Sequence, residues 1–229
     1  MDSERALADM LKSVPWSKLD RNYILGEEVP GRVVELVRGP LAEARREAAD
    51  SLYCAVANQG VLSETSPFVA RILVQTLRLD ICVDREPVYY VLQAIQECRA
   101  WRVRDDAIGE RLFVDSRSAI EAGWVTFLAD LHRLDLTLYP SLLLLLEDFA
   151  AKRLEVLAHL REEVCRTDGA TKRLVTEAYA GALEHAQQHT VDPEACFCGE
   201  VFWLTAESVA RAAPETEGVA VQPRWQPGL

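Results

Sequence analysis

Apolar residues recur at helical spacing along nearly the whole chain, and turn-forming residues fall between the periodic runs. Asp2 or Ser3 can cap a first helix that ends before Pro15, and residues 16–28 read as a polar connection. A helix around 29–38 stops at Gly39; Pro40 suits the first turn of the next, which runs to Asn58 ahead of Gly60. Ser63, Glu64, Thr65 and Ser66 precede Pro67 and suit the start of a helix with the stripe Phe68, Ile72, Leu73, Thr76 and Leu77, ending at Asp80. Asp84, with Pro87 in the first turn, opens a helix carrying Tyr90, Leu92, Ile95, Cys98 and Trp101, and Asp105, Asp106 and Gly109 form the next break. Residues 112–136 read as one long or broken helix with Gly123 inside it, and Pro140 starts a further helix pair. Asp168 and Gly169 precede an amphipathic helix over 170–188 with Leu174, Ala178, Leu183 and Ala186 on one side, and a short element follows around 200–212. Alternating strand patterns are nearly absent, so the predicted class is all-α.

The pattern also repeats. Residues 33–52 (VVELVRGPLAEARREAADSL) return as 142–160 (LLLLLEDFAAKRLEVLAHL): an apolar helix end, a break, then Arg45 or Arg153 with apolar residues spaced behind it. Counted from each Arg, Ala48 answers Val156, Ala49 answers Leu157 and Leu52 answers Leu160. A recurring helix pair is the mark of a stacked repeat, in which each unit buries its face against its neighbours. The expected architecture is a short α-solenoid of antiparallel helix pairs in a single domain over 1–213. Residues 214–229, with Pro214, Pro223 and Pro227 and no period, read as a poorly ordered tail.

Composition narrows the choice of partner. The 229 residues carry 25 basic and 36 acidic side chains, a net charge of −11, which repels nucleic-acid backbones and anionic membranes and favours a basic protein. The leucine run at 142–146 is far shorter than the roughly 20 residues of a membrane span. Residues 1–14 carry acidic side chains and lack the apolar run of a secretory signal. A soluble, cytoplasmic protein is expected. Cys54, Cys82, Cys98 and Cys165 sit in helical patterns among apolar neighbours and read as reduced core thiols.

Residues 142–160 resemble a HEAT repeat, in which the first helix ends near an Asp, here Asp148, and the second begins near an Arg, here Arg153. The resemblance implies that this Asp and Arg tie successive repeats together. The segment 51–77 (SLYCAVANQGVLSETSPFVARILVQTL) is similar to part of bacterial HEAT-like proteins, where a helix ends in Gln-Gly and a Pro opens the next apolar helix. Asn58 and Ser63 depart from the His and the linker aromatic often found there. Some small bacterial proteins of this build look like immunity proteins, which implies the neutralisation of a toxin.

Candidate chemistry is sparse. His185 and His189 share a helical face, and Cys196 and Cys198 follow, a donor set suited to zinc but with only one residue between the thiols, where such sites favour two to four. The competing reading is a helix end whose histidines face the C-terminal dipole, followed by a loop with buried thiols. His132 and His159 read as helix-interior residues with no partner nearby in sequence to orient them. The carboxylate pairs Glu27–Glu28, Asp105–Asp106, Glu147–Asp148 and Glu162–Glu163 are sequence neighbours that point to different sides of a helix, and they read as solvated charge. Tyr90 and Trp101 share a face and read as core packing, or as an aromatic anchor for a partner. The 11 glycines form no phosphate-binding loop.

The expected function is therefore a non-enzymatic scaffold that binds a basic protein, with an immunity protein masking a basic toxin domain as its most specific form. Asp105, Asp106, Glu110, Glu27 and Glu28 are the expected partner-binding residues, with no catalytic residue, metal or cofactor. The alternative is a metal- or small-ligand-binding regulatory protein using the 185–198 region.

Overall fold

The computed structural model describes residues 3–20, 26–98, 107–192 and 204–213, and these residues are all-α, with no strand among them. The helices are α1 (Ser3–Lys12), α2 (Val29–Arg38), α3 (Ala42–Val56), α4 (Ser66–Arg78), α5 (Glu86–Glu97), α6 (Ala107–Glu121), α7 (Trp124–Arg133), α8 (Pro140–Glu147), α9 (Arg153–Arg166), α10 (Gly169–Val191) and α11 (Ala206–Ala212). Packing divides the chain into two compact units, Met1–Ala129 and Asp130–Leu229. Expectations for Trp101, Asp105, Asp106, Cys196, Cys198 and the tail 214–229 lie outside the described residues.

In the first unit α2 packs on α3, α3 on α5, and α4 on α6. The faces that meet are those the helical period marks: Val29, Val33, Leu36 and Val37 from α2, and Ala48, Ala49, Leu52, Ala55 and Val56 from α3, are all buried. Each large aliphatic side chain so removed from water contributes about 1.5–3 kcal/mol. Residues 16–28 are not simply a polar connection. Trp16 is buried in a 3-10 turn, donates its indole N–H to the carbonyl of Leu11 at 2.7 Å and lies edge-on to Phe68.

The helix breaks have local causes. Gln59 and Gly60 both take positive φ, 54° and 74°, so α3 stops at Val56 and a 3-10 turn spans Asn58–Gly60. The glycine adopts this region without strain, and Gln59 follows at some cost. Pro67 lies in the first turn of α4 as expected, but the serine cluster does not form a side-chain cap there. Ser66 instead donates to the carbonyl of Val56 at 2.6 Å, closing the end of α3. Pro40 precedes α3, which starts at Ala42, rather than standing in its first turn. Gly109 is buried inside α6 rather than at a break. Gly123 does fall at a break in the 112–136 run, between α6 and α7, and the fully buried Phe127 ring occupies the space a Cβ there would need. Helix α5 ends at Glu97, and within it Tyr89 is the fully buried aromatic, edge-on to Phe127.

In the second unit α10 packs on α8 and α9. Leu142, Leu143, Leu145 and Leu146 of α8 are buried, as are Val156, Leu157 and Leu160 of α9. The buried stripe of α10 is Val175, Ala178, Tyr179, Ala182, Ala186 and His189, while Leu174 and Leu183 are only half-buried, so the face runs one step round from the expected one. Of the four thiols read as core, Cys98 is buried, Cys54 and Cys82 are half-buried and Cys165 is exposed. No described helix is long and apolar enough to cross a membrane.

Candidate functional site

The two arginines of the sequence repeat do the same work. Each stands near the start of the second helix of its pair and reaches back to the end of the first: Arg45 donates to the carbonyl of Gly39 at 2.8 Å, and Arg153 to that of Glu147 at 2.5 Å. The last four carbonyls of a helix have no partner within it, and they carry the negative end of its dipole. A guanidinium there satisfies an oxygen and meets a favourable field. Arg45 also pairs with Asp84 ahead of α5 at 3.6 Å, linking one helix pair to the next segment. Asp148, the acidic partner implied by the repeat resemblance, lies 3.5 Å from His185, whose ring nitrogen is in turn 3.3 Å from Arg153.

The expected partner-binding acids divide as follows. Glu27 and Glu28 are exposed immediately ahead of α2, and Glu110 is exposed in the first turn of α6, all within the first unit. In the 185–198 region, His189 is fully buried and its carbonyl accepts from the backbone N–H of Leu204 at 3.2 Å. His185 is engaged with Asp148 and Arg153, so a guanidinium already stands where a metal would approach its Nδ1.

A constellation that sequence reading missed lies in the second unit. His132, in the last turn of α7, presents Nδ1 to the Oε1 of Glu163 on α9. Its Nε2 stands 3.3 Å from Nδ1 of His159, one turn earlier on α9. Glu163 is fully buried, contrary to the reading of Glu162 and Glu163 as solvated charge, whereas Glu162 is exposed. A buried carboxylate near a helix C-terminus opposes the dipole and loses its hydration, so it requires positive partners. Arg166 supplies one, donating to Glu163 Oε2 through Nη2 at 2.7 Å and Nε at 3.1 Å. The hydrogen bond to Glu163 raises the pKa of the Arg166 guanidinium above its ordinary value. Arg166 also donates to the carbonyl of His132 at 2.8 Å, closing the end of α7.

Among the described residues, His132, His159 and Glu162 form the group of donors close enough to hold a metal ion, their ligand atoms lying within 4.8 Å of one another. The pairing was hidden in sequence because His132 and Glu163 come from different helices. One signal was present: Glu163 continues the stripe of Val156 and Leu160, and a carboxylate on a buried stripe demands partners. Comparison with protein-family models, with curated proteins and with solved structures finds no match.

Proposed function

We propose that the chain is a helical scaffold that binds a basic protein, and the repeated arginine clamp carries this reading. Arg45 and Arg153 close equivalent helix ends in two helix pairs, which supports a build from repeated helix-pair units. Helix-pair repeats stack into α-solenoids, whose extended surfaces serve to hold other proteins. The net charge of −11 and the exposed Glu27, Glu28 and Glu110 select a basic partner, because complementary charge accelerates encounter. The immunity role, masking a basic toxin domain, is the finer form of this proposal and rests on the resemblance of segment 51–77 to bacterial HEAT-like proteins.

The test is capture of binding proteins from the native organism at low and high salt, followed by measurement of the recovered partner's affinity with purified chains. One basic protein held stoichiometrically is expected, with affinity falling as salt rises and falling at least tenfold on reversing Glu27, Glu28, Asp105, Asp106 and Glu110 to Lys together. Inhibition of a toxic activity in that partner would establish the immunity role, whereas a partner without one would limit the protein to an adaptor. Recovery of no protein, or binding indifferent to both salt and charge reversal, would overturn the scaffold reading.

A further inference from the structure

Four observations converge on the His132 cluster. The Nδ1 of His132 lies against the buried carboxylate of Glu163, an acceptor, so the tautomer that donates Nδ1–H to Glu163 carries its lone pair on Nε2. Nε2 in turn stands 3.3 Å from Nδ1 of a second imidazole, that of His159. Two nitrogens each about 2.0–2.1 Å from one tetrahedral zinc stand about 3.3–3.4 Å apart, so the observed gap is the edge of such a polyhedron. The two rings stand edge to face, at 64° with centroids 5.3 Å apart.

Glu162 supplies the third donor. It lies three residues after His159 on the same helix, a spacing that places both on one face, and it is exposed and able to swing a carboxylate oxygen inward. Glu163 in turn has the place usually taken by a carboxylate behind a metal-bound histidine, fixing the tautomer and raising ligand basicity. Arg166 pairs with Glu163 Oε2, so Oε1 remains for His132.

We propose that His132, His159 and Glu162 bind a divalent transition-metal ion of the zinc class, with Glu163 as the carboxylate that orients His132. Two imidazoles and one carboxylate leave a fourth tetrahedral position for water or a ligand. This site is distinct from the 185–198 donor set, and it does not depend on the scaffold reading.

The test uses the full chain, purified without a histidine tag and titrated with Co²⁺ and with Zn²⁺. One equivalent of Co²⁺ is expected, with the visible absorption of a nitrogen–oxygen tetrahedral site and no thiolate-to-metal charge transfer. Cys196→Ser with Cys198→Ser should leave both stoichiometry and spectrum unchanged. His159→Ala, whose side chain is half-exposed, should abolish binding and the Zn²⁺-induced rise in melting temperature while leaving the helical circular dichroism intact. Glu162→Gln should weaken binding, and Glu163→Gln should weaken it about 10–100-fold although Glu163 does not touch the ion. Substoichiometric binding by the wild-type chain, binding unchanged in His159→Ala, or a charge-transfer band lost with the two serines would each overturn the proposal.

Discussion

Arg153 donates to the carbonyl oxygen of Glu147, six residues back and at the last position of α8, from a side chain that is 2% exposed. Arg45 spans the same six residues to Gly39. The device is general in this protein: Arg85 reaches the carbonyl of Leu77 at the end of α4, Arg117 that of Gln96 at the end of α5, and Arg166 that of His132 at the end of α7. Glycine-based caps would close these ends through the backbone alone. A guanidinium closes them and also joins one helix to another, so each end becomes a tertiary contact.

Replacing these arginines should therefore be costly. Arg153→Ala removes a charge-assisted hydrogen bond to the Glu147 carbonyl together with buried side-chain volume, for an expected loss of about 2–4 kcal/mol. Arg45→Ala should fall in the same range. Arg153→Lys should recover only part, because a single ammonium cannot reproduce the reach and planarity of the guanidinium. Urea unfolding curves measure all three; a change below about 0.5 kcal/mol for either alanine variant, the range of ordinary surface substitutions, would remove the clamp from the account of stability.

The repeat was legible for a physical reason. Its apolar positions three, four and seven residues after each Arg form a helical stripe, and Ala48, Ala49, Leu52, Val156, Leu157 and Leu160 are all buried. Charged residues on such stripes were not legible in the same way. Glu163 and Arg117 are almost completely buried, and each meets a group that only the tertiary fold brings to it, His132 and the Gln96 carbonyl respectively, whereas Asp130 pairs with Arg133 three residues along its own helix. Cys165 errs in the opposite direction, since apolar sequence neighbours do not fix which way a helical side chain faces.

The buried carboxylate makes the His132 cluster energetically asymmetric. His132→Ala leaves Glu163 buried with Arg166 still paired to it, and losing a hydrogen bond to a charged group costs about 1.5–3 kcal/mol. Because Arg166 remains, the lower end is expected. Glu163→Gln keeps the shape and removes the charge, so it should cost less than His132→Ala. A double-mutant cycle on the two positions should show coupling above about 1 kcal/mol, and additive single effects would mean that the pair carries no energy of its own.

Two glycines should respond to the same substitution with opposite signs. A Cβ on Gly123 would collide with the Phe127 ring, which is fully buried against Tyr89 and cannot move aside. Gly123→Ala should cost about 1–3 kcal/mol by overpacking. A Cβ on Gly31, exposed inside α2, meets nothing within 4 Å. Gly31→Ala should stabilise by up to about 1 kcal/mol through helix propensity. Thermal or urea unfolding of the two variants should move to opposite sides of the wild type, and a loss in both would show that backbone conformation rather than space governs these positions.

Alkaline stability follows from two tyrosines. Burial raises the pKa of the Tyr90 hydroxyl above its ordinary 10.0, and the charges of Asp50 and other neighbours add to this. Burial likewise raises Tyr179, with Arg161 acting in the opposite direction. A raised tyrosine pKa means that the folded state holds its proton more tightly than the unfolded state. The stabilisation is thus fully present below the unfolded value of about 10 and is lost as pH rises from there through the folded values. Unfolding free energy should fall with pH above about 10, and the phenolate absorbance of these residues should appear late in a titration of the native protein. Tyr90→Phe keeps the ring stacked on Tyr53, whose centroid lies 6.0 Å away, but has no proton to lose. The Tyr90→Phe variant should therefore show a shallower alkaline limb than the wild type, and an equal slope would mean that Tyr90 ionises alike in both states.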